Sequence, residues 1–469
     1  MTPSSGRRDW LVTLAVGLLS LLPRLYTSLA WSREPVWDGH YYDFGARRIA
    51  EGFGYSDDVV IHGVQVWHPW CHYPVGYSGF LAALYAVFGS GQYVAPVANA
   101  VIGALIVMVT HRIALHWLTR PRALVAAALC GINLELIFYS PLVMTELLAT
   151  LGPLLAIWLA LVLRRKRPWH GAALSGVLLG LSTLVHPQTI VMAPVLGFAV
   201  NRGPTKRWVH TLAAVAIVTV SAMLVVAPWT YRNCRVMDGC AFVSTNGGWN
   251  LAIGSFPRAT GRFETLRASD GCEVVTGQVQ QDRCWGSLGL QFIRSDPGHW
   301  FGLIPAKLGY CFDHASFPVE YLRQADPQAW PEPVRVRWRE ALTGMLRLLL
   351  SLAAFGLIAW SVRSRRGLVV ETALRSGVAG LVAYAWFADI PIFWPLALAI
   401  IVTGLIPRRS APELGPVGII IVASFLLFVL THVAFFGEDR YHVPLVPMMC
   451  LLAAASFRGP GTSASIPLN

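Results

Sequence analysis

The chain has 469 residues, of which 55% are hydrophobic and only 13% charged, and its mean hydropathy is +0.53. A soluble domain carries roughly 25% charged residues, so this composition excludes a soluble enzyme and marks an all-α polytopic membrane protein. The net charge of +12 does not point to nucleic acid, because the basic residues form short clusters between apolar runs, as cytoplasmic loops do.

Arg7 and Arg8 precede a first apolar run at residues 10–30. Its length suits a bilayer span and it lacks a small-residue cleavage motif, so it reads as a retained span with the N-terminus in the cytoplasm. Residues 31–77 form an outer loop dense in Asp, His, Tyr, Trp and Pro. Insertion gains nothing from such a loop, whereas a site handling a polar group at the bilayer surface needs one. Within it, residues 41–51 are predicted as a short interfacial helix anchored by Tyr41, Tyr42 and Phe44. Residues 76–88 are too short to span and are predicted as an interfacial or re-entrant helix ending at Gly89. Spans follow at 93–118 and 123–138. The turn Y-S-P-L-V-M-T-E carries Glu146 into the next span, and Arg164-Arg165-Lys166-Arg167 marks the cytoplasm. Residues 171–185 go out, His186-Pro187-Gln188 turns, 189–200 return to a basic cluster at 202–207, and 209–227 go out to P-W-T-Y-R-N.

Residues 231–340 are long and polar, with basic and acidic residues nearly balanced, as an exported loop domain allows. Inside it, residues 287–312 are predicted as an amphipathic helix pair broken at Asp296-Pro297. The chain returns through 342–360, makes a hairpin at 372–388 and 391–406, and ends with spans at 417–436 and 442–457. The expectation is about twelve spans. They divide into an N-terminal module (1–230), the loop domain (231–340), a C-terminal module (341–458) and a loose disordered tail (459–469). Every basic cluster then falls on the cytoplasmic side of the inner (plasma) membrane. Cys130 and Cys450 lie in apolar spans and read as core residues. The remaining cysteines, Cys71, Cys234, Cys240, Cys272, Cys284 and Cys311, fall on the oxidising outer side, where Cys234–Cys240 and Cys272–Cys284 are the local pairings.

Asp38 lies a few residues past the first membrane exit. A carboxylate there can take a proton from an acceptor hydroxyl or hold a divalent cation against a phosphate. It can equally be a solvated loop acid like its neighbours Glu34, Asp43, Asp57 and Asp58. Glu146, at the mouth of a span, is either functional or a helix-start acid capped by Thr145. His40, His62, His68 and His72 share the first loop with Asp38, so a metal held by Asp38 and His40 is one reading and interfacial packing the other. Arg232 and Arg440 stand at outer span ends, suited to phosphate oxygens or to snorkelling. The run N-G-G-W-N from Asn246 offers backbone N–H groups for an anion. No P-loop, dinucleotide fingerprint or H-E-x-x-H motif is present in the sequence, which disfavours those classes.

These pieces together resemble a known family. W-D-G-H-Y-Y-D-F-G-A-R-R-I-A-E-G, Y-P-V-G-Y-S-G-F-L-A-A-L-Y-A-V-F-G, S-P-L-V-M-T-E, G-L-S-T-L-V-H-P, P-W-T-Y-R-N, S-T-N-G-G-W-N-L-A-I-G and D-R-Y-H-V-P-L-V-P follow one another from Asp38 to Pro447. The order resembles the bacterial GT-C glycosyltransferases that use a polyprenyl-phosphate sugar, the branch related to protein O-mannosyltransferases and the lipid A aminoarabinose transferase. The resemblance implies a GT-C fold with its active site on the outer face. It maps the essential carboxylate onto Asp38, a second acid onto Glu146, and donor-phosphate contacts onto Arg232 and Arg440. It also implies substrate contacts from Tyr41, Tyr42, Tyr73, Asn233, Asn246 and Tyr441. Two departures stand out: the run before Pro74 holds His72, and the turn before Pro187 holds His186 where the family more often has Arg or Lys. In this reading both histidines take up donor-phosphate positions.

The expected function is inverting transfer of a sugar from a polyprenyl-phosphate donor to a lipid, glycan or protein acceptor, with a divalent metal as an open cofactor and no nucleic acid partner. Two alternatives stand beside it. A flippase for a lipid-linked saccharide explains the spans but not the acid-rich outer loop. An O-antigen ligase or polymerase explains outer arginines but should lack that loop.

Overall fold

The computed structural model describes residues 3–200, 208–272, 277–358, 365–388, 391–405 and 415–456. The tail expected after residue 458 and the basic clusters at 202–207 and 408–409 lie outside the described residues.

The fold is a helical bundle with one small hairpin. The first helix, Pro3–Ala30, packs along Val94–Ala114, which in turn packs on Glu146–Leu163. Glu146–Leu163 packs on Pro168–Val185, and that helix on Trp208–Val236. The C-terminal part is built from Glu332–Ile358, Trp394–Leu405, Gly415–Ala434 and Val446–Ala455, which pack on one another. A single large core of apolar side chains runs through both parts. Six described helices are long and apolar enough to cross a membrane, and three shorter apolar ones accompany them.

That is fewer full-length spans than the expected twelve, because several predicted spans are broken or short. The span predicted at 123–138 is two pieces, Arg120–Gly131 and Leu134–Phe138. The break has a cause. Arg24, fully buried in the first helix, donates from Nη1 to the Gly131 carbonyl (2.9 Å) and from Nη2 to the Cys130 carbonyl (3.2 Å). Asn133 then accepts from the Leu136 N–H (3.0 Å) and starts the next piece. The last predicted span likewise resolves into a 3₁₀ turn, Asp439–Leu445, and the short helix Val446–Ala455.

The outer loop differs from expectation in one respect. Ser56–Ile61 and Val64–Pro69 form an antiparallel hairpin. Its connecting residues, His62 and Gly63, both have positive φ (50° and 80°), the backbone that two-residue hairpin loops require. Arg48 fastens the hairpin through both oxygens of Asp58 (2.8 and 2.9 Å), and His68 pairs with Asp57 at 2.7 Å. The polar segment after Trp208–Val236 folds into short helices, including Gly247–Ile253, Gln278–Ser295, Pro297–Gly302, Ile304–Phe312 and Phe317–Ala325. The expected break at Asp296-Pro297 is present, with Asp296 capping the next helix through the His299 N–H (2.9 Å). Both expected disulfides, Cys234–Cys240 and Cys272–Cys284, are formed. Cys71, Cys130, Cys311 and Cys450 are free and buried.

Candidate active site

The helix predicted at 41–51 starts earlier, at Asp38, and runs to Ala50. Its N-cap, Trp37, has φ 49°, a left-handed backbone that a bulky residue adopts only under constraint from its surroundings. Trp37 is held between Phe317 and Tyr321, with ring centroids at 5.5 and 5.8 Å. Tyr321 accepts the Val36 N–H at 3.1 Å, and its hydroxyl lies so close to Gly39 that a Cβ there would collide with it. The chain is thus clamped on both sides of Asp38, and the carboxylate sits on the first turn of a helix, where a negative charge is favoured.

Asp38 has two partners. Tyr73 donates its O–H to Oδ1 at 2.8 Å, and Arg440 donates from Nη1 to Oδ2 at 2.6 Å. The same guanidinium donates from Nε to Glu438 at 2.6 Å, so one cation serves two carboxylates. Arg440 also lies over the rings of Phe317 (4.9 Å) and Tyr441 (5.3 Å). Its turn is anchored one residue away: Asp439 accepts from the Ser316 hydroxyl and the Phe317 N–H, both at 2.8 Å. Burial pushes the Asp38 carboxyl up, but Arg440 and the Tyr73 hydroxyl more than offset this and hold it below the usual carboxylate range. Burial raises Glu438, with Arg440 only partly compensating. Tyr73 is raised well above the ordinary phenol, first by burial and then by Asp38, so it stays a donor.

A cavity of about 390 Å³ opens beside this group. Asp38, Tyr42, His72, Tyr73, Glu146, His186, Asn246, Arg440 and Tyr441 all line it, so most of the predicted site residues converge. A smaller chamber of about 90 Å³ adjoins it, walled by Ala149, Pro153, Met192, Leu427, Phe428 and Met448. The two share Glu146, His186, Gln188, Thr431, His432, Arg440 and Tyr441, which form a neck between a polar space and an apolar one. At the neck, His186 contacts Thr145 through Nε2 (3.0 Å) and Gln188 through Nδ1 (2.8 Å). Glu146 is buried there with its Oε2 unpartnered.

Other expectations are corrected. Arg232 does not line the cavity. It donates to the carbonyls of Trp70 (3.0 Å) and Tyr55 (2.7 Å) and lies over Trp229, so it pins the outer loop to the helix Trp208–Val236. Asn233 is buried and spent on the carbonyls of Ala241 and Val243, both at 3.2 Å. Tyr41 is exposed and stacks on Tyr73 at 5.4 Å without reaching the cavity. The N–H groups of the N-G-G-W-N run are not free for an anion, because Asp282 Oδ1 already accepts from Gly248 (2.7 Å) and Trp249 (3.2 Å). Glu438, Trp249, Asn250 and His432 were missed. Glu438 stands in the outer turn G-E-D-R-Y two residues before Arg440, and that spacing was the available signal.

The residues do not fit the metal reading. Both Asp38 oxygens are occupied, and His40 is exposed, stacked on Phe44 at 6.4 Å. Among the described residues no group of three His, Cys, Asp or Glu could hold a metal ion.

Residues 72–231 match the family model described as dolichyl-phosphate-mannose-protein mannosyltransferase. Among solved structures, the archaeal oligosaccharyltransferase AglB from Archaeoglobus fulgidus, in complex with an inhibitory peptide and a dolichol-phosphate, is similar at TM-score 0.50 and 12% identity, over 97% of this chain and 50% of that one. The apo form of the Archaeoglobus fulgidus oligosaccharyltransferase gives TM-score 0.47 at 14% identity, over 95% and 50%. ArnT from Cupriavidus metallidurans bound to undecaprenyl phosphate gives 0.34 at 15%, over 97% and 78%. The chain spans about half the length of the oligosaccharyltransferase structures it matches. No curated protein matches it in sequence. The likeness is one of fold.

Proposed function

We propose that this GT-C fold membrane protein transfers a sugar from a polyprenyl-phosphate donor to a hydroxyl-bearing acceptor on the extracytoplasmic face. One observation carries the reading. A carboxylate and a guanidinium meet at 2.6 Å where a polar chamber narrows into an apolar one. A lipid-phosphate sugar has that same division into apolar chain, phosphate and polar head. The related archaeal structure holds a dolichol-phosphate, which supports a lipid carrier here.

In this reading the first isoprene units occupy the chamber beside Met192, Leu427 and Met448. The phosphate lies at the neck against Arg440, with His186 and Tyr441 beside it. The acceptor hydroxyl approaches Asp38, which is ionised at neutral pH and oriented by Tyr73. The acceptor oxygen bonds to the anomeric carbon as the carbon–oxygen bond to phosphate breaks. The hydroxyl proton goes to Asp38 and the electron pair to the phosphate, and a single displacement inverts the centre. As Asp38 is neutralised it loosens its hold on Arg440, just when the leaving phosphate gains charge, so the guanidinium can follow the charge. No step passes through a metal.

The test is transfer by the purified chain from a panel of polyprenyl-phosphate sugars, wild type against Asp38→Asn, with and without a chelator. Product from the wild type alone, unchanged by the chelator, supports the proposal. Full transfer by Asp38→Asn removes its core.

A further inference from the structure

We infer that the short helix Gly247–Ile253 builds the donor's sugar subsite, and that Trp249 and Asn250 there read an uncharged sugar through its ring face and hydroxyls. The inference rests on the reading of the chain as a polyprenyl-phosphate-sugar transferase.

Position comes first. Asn246, Trp249 and Asn250 line the larger chamber and none of them lines the apolar one. With the lipid in the apolar chamber and the phosphate at the neck, the group attached to the phosphate must lie in the space this helix covers. The helix is firmly set. Gly248 lies flush on the Asp282 carbonyl, leaving no room for a Cβ, and the Asp282 side chain takes two of its N–H groups. Asp282 belongs to Gln278–Ser295, which the Cys272–Cys284 disulfide ties to the preceding loop.

Side-chain chemistry comes next. Asn250 is half-buried, and no hydrogen-bond partner is recorded for its amide among the described residues. It therefore presents two donors and an acceptor to the chamber. Asn246 has its carbonyl oxygen occupied by the Ser244 hydroxyl (2.8 Å), which leaves its N–H groups to point elsewhere. Trp249 is steadied by His72 at 5.7 Å and Trp285 at 5.6 Å. An aromatic face beside neutral amides suits the mixed surface of a sugar, whose C–H face is apolar and whose rim is hydroxyl.

Charge decides the class. Asp38 and Glu146 line the chamber, and Asp282 stands behind the helix. Arg440 is the only Lys or Arg among the lining residues and is already shared by two carboxylates. A sugar bearing its own carboxylate would meet like charge on several sides and find no free cation. A neutral sugar meets only hydrogen-bonding groups.

The test is equilibrium binding to the purified full chain in lipid nanodiscs, with three probes. They are undecaprenyl phosphate bearing an uncharged hexose, the same lipid bearing the corresponding uronic acid, and undecaprenyl phosphate without a sugar. The wild type should bind the hexose lipid at least about tenfold more tightly than the uronic acid lipid. Asn250→Ala should weaken the hexose lipid roughly three- to tenfold, the worth of one hydrogen bond, and leave the sugar-free lipid unchanged. Asn250 has no recorded protein partner to lose, so its truncation should leave the fold intact. An equal loss for both lipids, no loss for either, or equal binding of hexose and uronic acid overturns the subsite while the transferase reading stands. Failure of the wild type to bind any of the three lipids takes both down.

Discussion

At the scale of single residues, the site depends on how charge is shared around Arg440. Asp38→Asn keeps the shape but loses the charge and the basic oxygen. Its kcat should fall by about 10²–10⁴, the usual worth of a general base, with the donor's KM changed little. Tyr73→Phe asks a subtler question. The wild-type carboxyl is held below the ordinary Asp value near 4. Activity that needs ionised Asp38 therefore persists as pH falls, until pH passes through that lowered value. Removing the Tyr73 hydroxyl takes away one stabilising donor while burial still pushes the carboxyl up, so its pKa rises. The acid limb of kcat/KM should move to higher pH by up to about one unit. A profile whose acid limb stays in place would show that Asp38 is not the titrating group. Arg440→Lys is not a mild change, because an ammonium cannot span Asp38 and Glu438 in the fixed geometry of the guanidinium fork.

At the scale of elements, Arg232 ties an outer loop to a transmembrane helix. Its partners are backbone carbonyls, and Arg232→Ala should act on stability rather than donor affinity. The expected cost is about 1.5–3 kcal/mol per charge-assisted hydrogen bond lost, read as a lower thermal midpoint with an unchanged donor KM. A raised KM at normal stability would return Arg232 to the phosphate. This residue also shows where the sequence was legible and where it was not. The aromatic and acidic run around Asp38, the M-T-E acid and the R-Y pair were each visible, and they do converge. P-W-T-Y-R-N looked equivalent to the R-Y motif because both end a span. Which arginine faces a cavity depends on where the loop 53–71 folds back, and that hairpin carries no strong local signal beyond His62-Gly63. Arg24 was illegible for a similar reason: an arginine inside an apolar run reads as an interruption until the carbonyls of Cys130 and Gly131 are seen opposite it. The helix lengths of the polar 231–340 segment were likewise set by tertiary partners, such as Asp282 and Asp439, more than by local pattern.

At the scale of the whole molecule, two contacts join distant parts of the chain. Asp38 meets Arg440, and Glu135 meets His442 at 2.8 Å with both residues buried. The other nitrogen of His442 lies 2.6 Å from the Cys311 carbonyl. Both ring nitrogens therefore face acceptors, and a proton must be shared between the ring and Glu135. Breaking one member of this pair should be costly. Glu135→Leu is expected to destabilise by about 3–5 kcal/mol, and adding His442→Leu should recover much of that loss. The comparison is made on thermal midpoints of the two variants in the same detergent. Recovery would identify the pair as a latch that sets the turn carrying Arg440, and its absence would mean that the histidine supports the turn by packing alone.

The sharing of one guanidinium by two carboxylates also sets a rhythm for turnover. When transfer ends, Asp38 holds a proton and the spent lipid phosphate approaches two negative charges, since the second pKa of a phosphate monoester is about 6. Arg440 then belongs to the phosphate. Once the proton escapes to water, the Asp38 carboxylate reclaims its 2.6 Å partner and the carrier loses its anchor. Proton loss thus works as the release catch, and the empty carrier slides back into the bilayer only after the base has been reset. The spent lipid should accordingly inhibit more strongly in acid than at neutral pH, so that the enzyme lets go of its carrier only when it is ready to take another.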